Sequence, residues 1–136
     1  MKSVLALGLL LFSVQIALGQ RCVEPRIGME RGRCAQLTVE FSDTKRTSQL
    51  TGVVIDANGA PVPNSVIEVY SPYEKGEIVA TYQSDETGRF CIKGLKKGKY
   101  RMKVGWSGFG FNCAEMKIEI SGKTKRHITV PLEVGN

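Results

Sequence analysis

The chain is poor in the residues that carry most enzymatic chemistry. Its 136 residues hold one histidine, His127, and one tryptophan, Trp106. A zinc peptidase site needs several ligands, and no acidic residue stands at ligand spacing from His127. The histidine, in KRHITV, reads instead as a surface or edge residue of a strand. There is no G-x-S-x-G run, which excludes the nucleophile elbow of the α/β-hydrolases. No two cysteines lie as close as C-x-x-C, which excludes the usual structural zinc pattern. Asp56 with Asn58, and Asp85 with Glu86, offer too few oxygens for a calcium loop. From residue 20 onward no stretch keeps apolar positions at helical spacing for three turns. These absences predict a non-catalytic chain with no metal, no cofactor and no long amphipathic helix.

What is present begins with an export signal. Met1-Lys2-Ser3 forms a short charged start, Val4 to Ile16 is nearly all apolar, and Ala17-Leu18-Gly19 offers small residues before a cleavage point. The pattern is that of a secretory signal peptide over 1–19, cut between Gly19 and Gln20. The apolar run is short for a membrane span, so no span is expected in the mature chain. Arg21 precedes Cys22, which argues against lipidation. The 19 Lys and Arg against 13 Asp and Glu give +6, or +5 once Lys2 leaves with the signal. A moderate positive charge keeps a small β-protein soluble, and it also suits acidic partners. Nucleic acid is not expected of an exported chain without a recognisable nucleic-acid module. The predicted location is secreted or periplasmic.

Four cysteines, Cys22, Cys34, Cys91 and Cys113, lie in the exported part. An even number in an oxidising compartment predicts two disulfides with three possible connectivities. Cys22–Cys34 closing a local loop with Cys91–Cys113 clipping the body is the favoured pairing. Phe90 and Ile92 should face the core, turning Cys91 outward, where the N-terminal segment lying across the sheet could equally meet it.

The mature chain divides into a Cys-containing leader, 20–48, and a β-domain, 49–136. QLTVEF is a candidate strand within the leader, and the polar run Ser42 to Gln49 reads as a linker. Short β-prone segments then recur near 51–56, 65–70, 77–83, 89–94, 99–106, 114–120 and 126–133, each bounded by Gly, Pro, Asn, Asp or Ser. Asp56-Ala57-Asn58-Gly59 carries turn chemistry at nearly every position, with Gly59 free to take positive φ. Asp85 to Gly88 repeats that grammar. Tyr100, Met102 and Val104 alternate with Arg101 and Lys103, and Ala114, Met116, Ile118 and Ile120 alternate with Glu115, Lys117 and Glu119. Seven such strands predict an all-β, antiparallel sandwich of immunoglobulin-like architecture.

Gly52, Val54, Asp56, Gly59, Pro61, Val62 and Ile67 resemble the opening of carboxypeptidase regulatory-like domains. Asp85, Gly88, Phe90, Ile92, Leu95, Gly98, Tyr100, Val104 and Gly108-Phe109 resemble the second half of that pattern, in order, and the likeness spans about 50–132. It implies a transthyretin-like (prealbumin-like) Greek-key sandwich with no active site of its own, serving as a folding, spacing or docking module. Lys96-Lys97, the cysteines and the 20–48 leader depart from the pattern.

Two surfaces are candidates for binding. Trp106, Phe109 and Phe111 sit in a glycine-rich loop, 105–112, that could present flat faces to sugar rings or to a protein. Lys99, Arg101 and Lys103 share one solvent face as a basic stripe. The expected role is structural or protein-interacting, with an unidentified protein or glycan partner at the cell envelope. The alternatives are a carbohydrate-binding module, or an accessory to a peptidase or an outer-membrane system.

Overall fold

The computed structural model of the chain describes residues 32–71, 76–108 and 110–135. The expected signal peptide, Cys22 and Phe109 lie outside these residues. Among the described residues there is no helix, and six strands form one sheet: β1 (Thr38–Ile55), β2 (Ser65–Ser71), β3 (Glu77–Gln83), β4 (Arg89–Ile92), β5 (Gly98–Trp106) and β6 (Cys113–Pro131). The sheet order is β3-β2-β5-β6-β1-β4. Neighbours pair antiparallel except β1 and β6, which run parallel from Thr38↔Cys113 to Ile55↔Pro131. The sheet is therefore mixed, where a purely antiparallel one was expected. Its two edge strands, β3 and β4, follow one another in the chain and come together, with Tyr82 Oη donating to the Lys93 carbonyl at 2.9 Å. The sheet thus curls toward a barrel.

The inward alternation delivers the core. Leu50, Val54, Ile67, Val69, Phe90 and Ile92 meet Met102, Val104, Ile118 and Val130 there, all essentially without solvent contact. At roughly 25 cal/mol per Å2 of apolar surface removed from water, burial of this kind is the main favourable term in folding. The two acidic turns fold alike. Asp56 Oδ1 accepts from Asn58 N and Ala60 N, both at 2.9 Å, and Gly59 takes φ 80°. Asp85 Oδ1 accepts from Thr87 N (2.8 Å), Thr87 Oγ1 (2.7 Å) and Arg89 N (3.0 Å), and Gly88 takes φ 73°. The turns are also stacked, since Val54 N donates to the Gly88 carbonyl at 2.7 Å. Burial disfavours the charged form of Asp85, but the bonds from Thr87 and Arg89 and the Arg89 charge outweigh it and lower its pKa.

Two segments differ from the sequence expectation. Ser42 to Gln49 is not a linker but the middle of β1, in register with β6 from Lys45↔Ile118 to Thr47↔Ile120. Its Asp43, Thr44 and Arg46 are exposed to solvent, which suits its polar composition. Thr47 is fully buried, its Oγ1 donating to the Gln49 carbonyl at 2.6 Å with the Thr124 carbonyl also within reach at 3.1 Å. Likewise the expected strands 114–120 and 126–133 are one strand, β6. Its register slips between Thr47↔Ile120 and Gln49↔Lys125, and Gly122 at φ 69° absorbs the extra residues as a bulge.

Candidate functional site

The 105–112 loop joins β5 to β6 at one end of the sheet, where the leader is fastened. Cys34 bonds to Cys113 across 79 residues of sequence. This corrects the favoured pairing, which joined Cys22 to Cys34 and Cys91 to Cys113. The reason is the parallel β1–β6 register: it starts at Thr38↔Cys113 and so carries the leader to the head of β6. Cys91 is disulfide-bonded as well. It lies outside the core cluster that holds Phe90 and Ile92, as alternation predicts, yet it is buried rather than exposed.

Backbone and side-chain bonds complete the attachment. Arg33 N donates to the Trp106 carbonyl (2.8 Å), Ala35 N to Phe111 O (2.7 Å) and Cys113 N to Leu37 O (3.0 Å). Asn112, buried, accepts at Oδ1 from Gln36 N and Leu37 N, both at 3.2 Å. From the other side, Asn112 N donates to Glu133 O and Gly135 N to Gly110 O, each at 2.8 Å. The loop is thus clamped between the leader and the segment after β6. Sequence reasoning passed over Asn112, because an asparagine beside a glycine-rich stretch reads as turn chemistry rather than as a long-range clamp.

Trp106 and Phe111 are half-buried and pack edge to face, with ring centroids 5.4 Å apart and planes at 84°. Trp106 Nε1 donates to the Pro63 carbonyl at 3.2 Å. Both rings rest against the core, and much of their surface is used within the molecule.

The basic stripe is real in register but mixed in charge. In the ladder Lys99 stands opposite Glu119, and Lys103 stands between Glu115 on β6 and Glu68 on β2. Arg101 lies 4.8 Å from the Tyr70 ring centroid. Its Nε is 3.3 Å from Glu115 Oε1, an ion pair without hydrogen-bond alignment. Glu68 is buried and accepts from Tyr70 Oη at 2.7 Å, while Arg46 on β1 bonds Glu119 at 2.9 Å. Cross-strand pairs of opposite charge stabilise a sheet face and lower its net field. His127 is exposed, with Nδ1 2.9 Å from Thr51 Oγ1. Among the described residues no three His, Cys, Asp or Glu side chains are grouped to hold a metal ion.

Comparison with known proteins places these features. The chain resembles in structure a minor pilin of Streptococcus agalactiae, GBS52, with TM-score 0.53 at 19% identity, over 66% of this chain and 45% of the pilin. Lower similarity is found to 5-hydroxyisourate hydrolase of Klebsiella pneumoniae (TM-score 0.47, 18% identity, 65% of this chain and 92% of that one). Hydroxyquinol 1,2-dioxygenase of Pseudomonas putida follows (TM-score 0.47, 11% identity, 81% and 64%). The chain spans less than half the length of the pilin, and at these identities the likeness is one of fold. No curated protein matches by sequence. The carboxypeptidase regulatory-like domain family matches residues 49–133, which holds both acidic turns and most of the core; the chain belongs to that family.

Proposed function

We propose that the protein is an exported, non-catalytic β-module with a structural or protein-docking role at the cell envelope. The observation that carries this reading is the fastening of the leader. Residues 33–37 are bound to the 105–112 loop by backbone bonds and to Cys113 at the head of β6 by a disulfide, which suits a folded body kept in an oxidising compartment. Family membership supports a module without an active site, and the curled sheet supports a Greek-key sandwich of transthyretin-like kind. The pilin-like fold fits the same setting by analogy. A protein partner is favoured over a glycan because Trp106 and Phe111 spend much of their surface on each other. The test is fractionation of cells expressing the full chain, with intact mass measured before and after reduction and alkylation. The expected species is exported, starts at Gln20 and has no thiol free to alkylate before reduction. A chain retained in the cytosol, or one with free thiols, overturns the reading.

A further inference from the structure

A groove of about 270 Å3 runs beside the parallel ribbon, lined by residues of β1 and β6. Phe41, Met116 and Ile128 supply its apolar lining, Lys45 and Arg126 its cationic one, and His127 a polar ring. Arg126, His127, Ile128 and Thr129 all line it, although they are consecutive. Side chains of a strand alternate between faces, so four neighbours can share a groove only if it follows the strand's edge. The pairing agrees. β5 covers β6 only as far as Ile120, so among the described residues β6 from Lys125 to Pro131 pairs on the β1 side alone. On the opposite wall β4 reaches β1 only from Leu50 to Val53, which among the described residues leaves Phe41 and Lys45 on an edge that no strand pairs.

From these features we propose that the groove takes an extended, acidic segment of a partner protein, added as a strand along the Lys125–Val130 edge of β6. The proposal rests on the protein-docking reading above and gives it a site. An unpaired edge offers a row of main-chain donors and acceptors that only another backbone can match. The apolar lining then receives alternate side chains. The volume lies just below the range of small-molecule pockets, and it suits one or two side chains rather than a whole drug-sized ligand. Charge selects the strand. Among the described residues Arg126 has no ion-pair partner, and Lys45 has only Asp43 at 3.9 Å. Lys123, Lys125 and Arg126 put a second copy's same edge against like charge, so self-association through this edge is disfavoured while an acidic strand is admitted.

The test is an NMR titration of the full, oxidised protein with three capped octapeptides. One alternates Val and Glu, one alternates Val and Lys, and one is the Val/Glu peptide N-methylated at alternate residues. The Val/Glu peptide is expected to bind with submillimolar Kd and to shift the amides of residues 125–130 most. Binding should weaken at least tenfold in Arg126→Glu and in the N-methylated peptide, and the Val/Lys peptide should not bind. Equal binding of the N-methylated peptide, or shifts centred elsewhere, overturns strand addition; so does the absence of binding. These results are independent of the export test: an exported, oxidised protein that ignores the Val/Glu peptide overturns the groove and leaves the broader role standing.

Discussion

Removing the Cys34–Cys113 bond tests how the leader is held. We consider the double variant Cys34→Ala/Cys113→Ala, which avoids leaving a thiol or a new buried hydroxyl. The bond closes a separation of 79 residues. In the chain-entropy treatment a loop of that size restricts the unfolded state by about 4.5 kcal/mol at 25 °C. The second disulfide, at Cys91, already restrains part of the same unfolded chain, so the expected loss is about 3–4 kcal/mol. For a body of roughly 100 residues each kcal/mol lowers Tm by about 4–5 °C, which gives a fall of about 12–20 °C. Urea unfolding without reductant, followed by circular dichroism beside the parent protein, measures the free energy, and a thermal scan measures Tm. A loss below about 1 kcal/mol would refute the reasoning. It would mean that the bonds of Arg33, Ala35 and Asn112 seat the leader unaided, or that the unfolded chain gains no freedom.

Other residues give sharper local tests. Asn112→Ala strips an acceptor from Gln36 N and Leu37 N and should cost about 1–3 kcal/mol, with faster hydrogen exchange at those two amides as the diagnostic readout. Gly88→Ala should destabilise by about 2–4 kcal/mol, because the residue sits at φ 73° and its Cβ would lie 2.6 Å from the Val54 carbonyl; Gly94→Ala, at φ 80° in open space, should cost only about 1 kcal/mol in the same urea assay. Asp85 has a lowered folded pKa, so its contribution is present above the unfolded value near 3.8 and is lost as pH falls through the folded one. In Asp85→Asn the decline of stability between about pH 4 and pH 2 should therefore be shallower than in the parent, as followed by unfolding midpoints. Phe111→Ala should shift Trp106 emission to the red by opening one side of the indole, and an unchanged spectrum would show that the edge-to-face packing does not shield it.

Much of the fold was legible because its signals are local. Asp56 to Gly59 and Asp85 to Gly88 declare their turns through side chains that bond their own backbone, and the structure has both. Tyr100, Met102 and Val104 declare an inward face within five residues. Hidden were the features decided by distant partners. Ser42 to Gln49 has the composition of a linker, and only the parallel edge of β6, more than 70 residues away, makes it a strand. Cysteine pairing failed for the same reason, since Cys34 reaches Cys113 through that register and no spacing rule reports it. At the candidate site the basic stripe was visible as alternation on β5. Its neutralising partners Glu68, Glu115 and Glu119 stand on other strands, so the mixed charge of that face was not visible.

The Cys34–Cys113 bond also sets a load path. A pull applied ahead of Cys34 and beyond Pro131 crosses the sulfur bridge and runs down β6, which is already extended from Cys113 to Pro131. The bridge bypasses the 78 residues between the two cysteines. Oxidised, the domain behaves as a short tendon with almost no slack. Reduction puts the hidden length back in series, about 28 nm of contour at full extension, and the first resistance passes to the β1–β6 ladder loaded in shear.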